Sequence, residues 1–284
     1  MKHLLIEKSK RVSVKPYQRK GKYVIGYQRL DPRNKVEETS NKVGEPYELG
    51  SAYIGVPDDF VKFIQTTIPI DELRGLKSIE EFSFQHFEDC KTIPKEPYLE
   101  FLERGYKEHP DYGGMYFHDI ARFVLDNTNE IFKKYPNRKK RAFLHEIGHH
   151  QWWYHTTAKD RKEFISIWER DRIGKIVSDT LFDEKWEILE TPETSNEGKY
   201  KVKNTETGKI EYFTFEDFTG LGGVTRYANA NAHEGFAEAY AEFRAKSLSE
   251  EKFPDTYHLL AKIFERRKQN VMVEALEGKA GKGY

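Results

Sequence analysis

A chain of 284 residues with 47 Lys or Arg against 47 Asp or Glu has no net charge to single out nucleic acid or a membrane as its principal partner, and its length allows one large domain or a domain with a tail. Cys90 is the only cysteine, which excludes an intrachain disulfide and a zinc site with several thiolates, so any metal must be held by His and carboxylate. The apolar run before Glu7 is too short for a secretory signal, and no stretch approaches the roughly 20 apolar residues of a membrane span; the expectation is a soluble protein, cytoplasmic as synthesised, with no membrane partner.

Charge is unevenly spread along the chain. Residues 1–42 carry twelve Lys or Arg against four Asp or Glu, a local balance of +8, so the remainder totals −8. Residues 1–44 read as a basic N-terminal arm, either a small hairpin or a flexible segment, in which Tyr17-Gln18-Arg19 is echoed by Tyr27-Gln28-Arg29 around Gly21 and Gly26. The arm resembles a short basic motif common in phage-encoded proteins, particularly head-associated ones. The arm's uncompensated charge predicts docking to an acidic partner, and the resemblance implies a virion component as that partner, with virion association or delivery by another route as alternative locations.

A domain is expected over 45–276. Pro57-Asp58-Asp59 marks a helix start with Phe60, Phe63 and Ile64 on one face. Phe82, Phe84 and His86 alternate with Glu81, Ser83 and Gln85 as in a half-buried strand, and a second strand is expected from Asp119 to Leu125 after Gly113-Gly114. Helical text follows from about Asn137 to Tyr154 and from about Ala158 to Val177, the latter with Phe164, Trp168 and Ile176 as apolar positions. Between Asp183 and Asp217 the pattern changes to strands, at Trp186–Leu189, Tyr200–Val202 and Ile210–Phe215, separated by polar turns. This predicts a β-hairpin inserted between helices. Two late helices, about Asn231 to Lys246 and Asp255 to Leu276, precede a flexible tail at 277–284.

His145-Glu146-Ile147-Gly148-His149 has the HExxH spacing. At about 100° per residue, positions 145 and 149 stand about 40° apart on a helix, so both imidazoles can reach one ion. Glu146 follows the first ligand and can take a proton from zinc-activated water. Two His and a Glu on the face that Ala142, Phe143 and Leu144 mark as buried would be costly without a partner. Two third ligands compete. His155 lies six residues after His149, but Trp152 occupies the position where a glycine would break the helix, and an unbroken helix turns His155 about 120° away. The alternative is Glu234, which would complete a His₂Glu set with a fourth position open. Glu238, one turn further on, is placed to accept a hydrogen bond from a ligand histidine, whereas Glu242 reads as a solvated face.

Val224-Thr225-Arg226-Tyr227-Ala228 and Glu234-Gly235-Phe236-Ala237-Glu238-Ala239, together with HExxH, resemble the catalytic domain of anthrax lethal factor and the related bacterial Pro-Pro endopeptidases. The resemblance is specific in the two motifs and loose elsewhere between Ser51 and Ser247. It implies that Glu234 is the third zinc ligand and that Tyr227 supplies a hydroxyl to the transition state. The 85 residues from His149 to Glu234 exceed the family's spacing by the predicted insertion, so substrate preference does not carry over. The expectation is an α+β zincin-like metallopeptidase with a small twisted sheet packed on the HExxH helix and a helical C-terminal part. It would be a zinc endopeptidase of the HExxH-plus-Glu type, holding one Zn²⁺ per chain through His145, His149 and Glu234 and acting on peptide or protein substrates. The competing expectation is a phage-associated structural or binding protein retaining the metal site without catalysis; Glu146 and Tyr227 argue against it, since neither is needed to hold zinc.

Overall fold

The computed structural model describes the side chains of residues 53–84, 113–118 and 121–269 and of isolated positions between 85 and 112, helical backbone on to residue 280, and four short strands of the arm. The chain divides into two compact units, Met1–Glu45 and Pro46–Tyr284. In the first, β1 (Arg11–Ser13) pairs antiparallel with β4 (Gln28–Leu30), and β2 (Tyr17–Arg19) with β3 (Lys22–Val24). The rest of the arm lies outside the described residues.

The second unit mixes helices and sheets in an α+β arrangement. Strands β5 (Tyr53–Ile54), β6 (Ser78–Phe82), β7 (Gly114–Phe117) and β8 (Arg122–Asp126) form a sheet in the order β5-β6-β8-β7, with β7 antiparallel at one edge and the other pairs parallel. The strand expected over Phe82–His86 is displaced, because β6 ends at Phe82 and is buried at all five positions. It lies between β5 and β8, and a parallel strand covered on both faces loses the alternation that marks a half-buried one. Its Glu81 is accommodated by Lys139, 2.6 Å away. The strand expected over 119–125 is β8; residues 119 and 120 lie outside the described ones.

Helix α1 (Asp58–Thr67) buries Phe60 and Ile64, and Phe60 meets Phe143 edge-on at 5.5 Å. A short α2 (Glu130–Lys134) leads into α3 (Pro136–Tyr154), which opens with Pro136 in its first turn, where a missing N–H is harmless. Phe143, Leu144 and Ile147 of α3 join Ile79, Phe123 and Leu125 of the sheet in the main core. The helix runs unbroken through Trp152, and His155 caps it.

Helix α4 (Ala158–Arg170) starts in a capping box made by Thr157 and Asp160. It stops at Arg170, short of the expected Val177. Gly174 takes φ +80°, a left-handed conformation that ends helices, and its N–H bonds the Ile188 carbonyl at 2.8 Å. The following residues therefore join a sheet as β9 (Ile176–Asp179), and Ile176, expected on a buried helix face, is exposed. With β10 (Lys185–Glu190), β11 (Tyr200–Asn204), β12 (Ile210–Phe213) and β13 (Phe218–Thr219), β9 builds a five-stranded antiparallel sheet in the order β12-β11-β10-β9-β13. The predicted inserted hairpin at 183–217 is thus three strands on one side of a larger sheet, with β12 at its edge. Its flanking strands are short and bounded by Gly174 and Gly220, which hides them from a pattern reading.

A 3₁₀ turn at Tyr227–Asn229 precedes α5 (Ala232–Arg244), and α6 (Pro254–Ala280) closes the described chain, four residues beyond the expected helix end. Helix α3 packs against both β7 and α5. At the α3–α5 crossing a Cβ on Gly148 would stand 2.6 Å from the Cα of Ala237, so only glycine permits this approach. Buried Glu72 ties the bundle together: it accepts from Tyr240 Oη at 2.8 Å and pairs with Arg244, while its carbonyl accepts from Gln151 Nε2 at 2.7 Å. Among the described residues no helix is long and apolar enough to cross a membrane.

Candidate metal centre

One turn of α3 separates His145 from His149, and both side chains face α5 across the Gly148 contact. Their Nε2 atoms are 3.1 Å apart. Glu234 Oε2, from the first turn of α5, stands 3.2 Å from Nε2 of His145 and 3.3 Å from Nε2 of His149. Each histidine is 9 % exposed, and Glu234 Oε2, fully shielded from solvent, makes no well-aligned hydrogen bond among the described residues.

This triangle has the dimensions of three donors sharing one cation. Ligand atoms about 2.0–2.1 Å from a tetrahedral zinc lie about 3.3 Å from one another. A buried carboxylate oxygen with only imidazole nitrogens before it is otherwise a costly arrangement. Two overlapping groups also bring ligand atoms within 4.8 Å of one another: His145, Glu146 and His149, and His149, His233 and Glu234. In the His145–His149–Glu234 set every pair lies within 3.3 Å, and both outsiders have other partners. Glu146 Oε2 accepts the Tyr116 backbone N–H at 2.9 Å, and His233 Nε2 lies 2.9 Å from His149 Nδ1.

Electrostatically the cluster favours positive charge. Burial alone would push His145 down, but Glu234 and Glu238 outweigh it and raise its pKa to about 10. Burial likewise opposes ionisation of Glu234, yet the two imidazoles hold its carboxyl well below the ordinary range. Glu238 is also held low, since His145 and Arg141 overcome its burial. A bound cation would take over the charge that a protonated His145 otherwise supplies. Burial raises Glu146, an effect that His149 and His145 offset only in part.

Around the three donors, Glu238 Oε1 lies 2.8 Å from His145 Nδ1. The ring N–H is off the ideal line, so the contact is a short electrostatic approach of the carboxylate to a protonated Nδ1. Arg141, one turn before His145, pairs with Glu238 and donates to Glu242 at 2.9 Å. Glu242, read from sequence as a solvated face, is thus part of an ion-pair network. The Tyr227 ring is centred 5.9 Å from the His145 ring and 5.8 Å from Phe215. Although 47 % of Tyr227 is exposed, partial desolvation and the carboxylates of Glu234, Glu146 and Glu238 push its phenol above the usual range, so it keeps its proton.

His155 does not reach this cluster. Its Nε2 bonds the Arg74 carbonyl at 3.0 Å, as does Nε2 of His150, whose Nδ1 meets Tyr116 Oη at 2.8 Å. Burial lowers His150 to about 4 and His155 to about 2; both are neutral structural groups.

Sequence reasoning missed His233, Arg141 and Tyr116. The first two were findable as neighbours of named residues, one preceding Glu234 and the other four before His145 on the same helix. Tyr116 contributes a backbone N–H, which leaves no trace in residue type. No protein-family model, curated protein or solved structure matches the chain.

Proposed function

We propose that the chain is a zinc-dependent endopeptidase with a zincin-like active site, in which His145, His149 and Glu234 hold the metal and Glu146 is the general base. The observation that carries this reading is the closed triangle of two imidazole nitrogens and a buried carboxylate oxygen that lacks an aligned hydrogen bond, with edges of 3.1 to 3.3 Å. Zinc held there would supply Lewis acidity towards a carbonyl and acidify water.

The chain's own groups divide the remaining work. The Tyr116 N–H occupies Oε2 of Glu146, which orients the carboxylate and leaves Oε1 to take the proton of the attacking water and pass it to the departing amine. Glu238 holds the proton of His145 on Nδ1, so that Nε2 keeps its lone pair for the metal. Tyr227, protonated beside the carboxylates, donates to the oxygen that becomes negative as water adds.

The test combines metal analysis with turnover. Purified protein should carry one zinc per chain and cut members of a diverse peptide library, with cleavage abolished by a chelator and restored by zinc. Glu146→Gln preserves an acceptor for the Tyr116 N–H but removes the base, so zinc should stay while turnover falls at least roughly 100-fold. Full zinc with no cleavage by the wild type would favour the non-catalytic binding protein instead, and unchanged turnover in the variant would remove Glu146 from the role.

A further inference from the structure

His233 is a half-buried imidazole to which the reaction gives no task. It sits in the first turn of α5, beside Glu234 in sequence. Its ring is centred 4.3 Å from that of His149, 5.5 Å from Trp152 and 5.6 Å from Trp153. Its Nε2 lies 2.9 Å from His149 Nδ1, a separation that requires one proton between the two nitrogens.

We propose that His233 is a positioning residue for the metal: its Nε2 accepts the Nδ1–H of His149 and thereby holds the Nε2 lone pair of His149 on the ion. The proposal rests on the zinc reading above. The two tautomers of His149 are chemically distinct. With its proton on Nε2, His149 would direct that proton at His145 Nε2 and Glu234 Oε2, 3.1 and 3.3 Å away, and could not ligate. With its proton on Nδ1, the only change required is an acceptor at that atom, and His233 Nε2 stands there.

The two ligand histidines are thus oriented by different chemistry. His145 faces the Glu238 carboxylate, whose charge is shared with Arg141. His149 faces an imidazole ring packed against Trp152 and Trp153. A ring nitrogen there accepts the Nδ1–H without bringing a further carboxylate into that aromatic surrounding.

The test compares wild type with His233→Leu, which keeps apolar bulk between the tryptophans but offers no acceptor, and His233→Gln, whose side-chain carbonyl restores one at similar reach. Zinc affinity is measured by competition with a chromophoric chelator, and the imidazole tautomers of the zinc-loaded proteins by long-range ¹H–¹⁵N correlation. His233→Leu should bind zinc roughly 10- to 100-fold more weakly while His233→Gln stays within about threefold of wild type. The His149 Nδ1–H resonance should show a hydrogen-bonded shift in wild type and the Gln variant that is lost in the Leu variant. Equal losses in both variants with that shift unchanged would reduce His233 to packing, and undiminished affinity in His233→Leu would overturn the proposal alone. A wild-type chain that takes up no zinc would overturn the zinc reading and this proposal together.

Discussion

At the scale of single residues, Tyr227 is where one atom decides a role. Its ring packs between His145 and Phe215, so Tyr227→Phe leaves the contacts in place and removes only the hydroxyl. A donor used chiefly as charge develops on the carbonyl oxygen affects kcat rather than substrate binding. The variant should keep its zinc and its KM and lose the equivalent of about 2–4 kcal/mol of barrier stabilisation, the range for a single oxyanion donor. Steady-state kinetics on any peptide the wild type cleaves would measure this, and a near-normal kcat would return Tyr227 to a packing role. Glu238 belongs to the same scale. From sequence it is one of several glutamates on an Ala-rich helix, and its distinction lies in being buried between His145 and Arg141.

At the scale of elements, the candidate centre exists because two helices approach more closely than ordinary side chains allow. Gly148 lies within HExxH at a position the motif leaves open, and Ala232, Ala237, Ala239 and Ala241 make the opposing helix narrow. Gly148→Ala would drive a methyl to 2.6 Å from the Ala237 Cα, where backbone must move because no rotamer can. Overpacking of this kind costs about 1–3 kcal/mol. It should also push Glu234 and Glu238 away from the histidines, so thermal stability and zinc affinity should fall together. A Gly148→Ala protein that melts normally and binds zinc at wild-type strength would show that the crossing tolerates more separation than argued. The five-stranded sheet over 176–219 belongs to the same unit, and Phe215, in the 3₁₀ turn that links β12 to β13, touches Tyr227.

Across the whole molecule, stability depends on buried polar junctions between elements distant in sequence. Asp160 joins α4 to α6: it receives Arg266 at 3.0 and 2.6 Å and the Thr157 N–H at 2.8 Å. Burial works against its ionisation, but Arg266 and Thr157 prevail and lower its pKa. A lowered carboxyl stabilises the fold above the unfolded-state pKa, and that contribution is lost as pH falls through the folded value. Asp160→Asn should therefore cost about 1–2 kcal/mol near neutrality, at the lower end because Arg266 is partly exposed, with the gap to wild type closing below about pH 4. Urea melts across that range would check it; a gap independent of pH would mean the cap geometry matters and the charge does not. By itself the sequence determined the α+β class, the course of α3 through Trp152, and the pairing of His145 with His149, because these depend on helical periodicity and on spacings of a few residues. It turned His155 away on helix geometry but reached Glu234 only through a motif resemblance, and it misread β6, the end of α4 and the size of the second sheet. Only the tertiary structure decided which of those two residues faces the two imidazoles, that Gly148 sets the helix separation, and that His233 meets His149. Contacts between residues about 85 positions apart are set by how whole elements pack, and no local pattern records them.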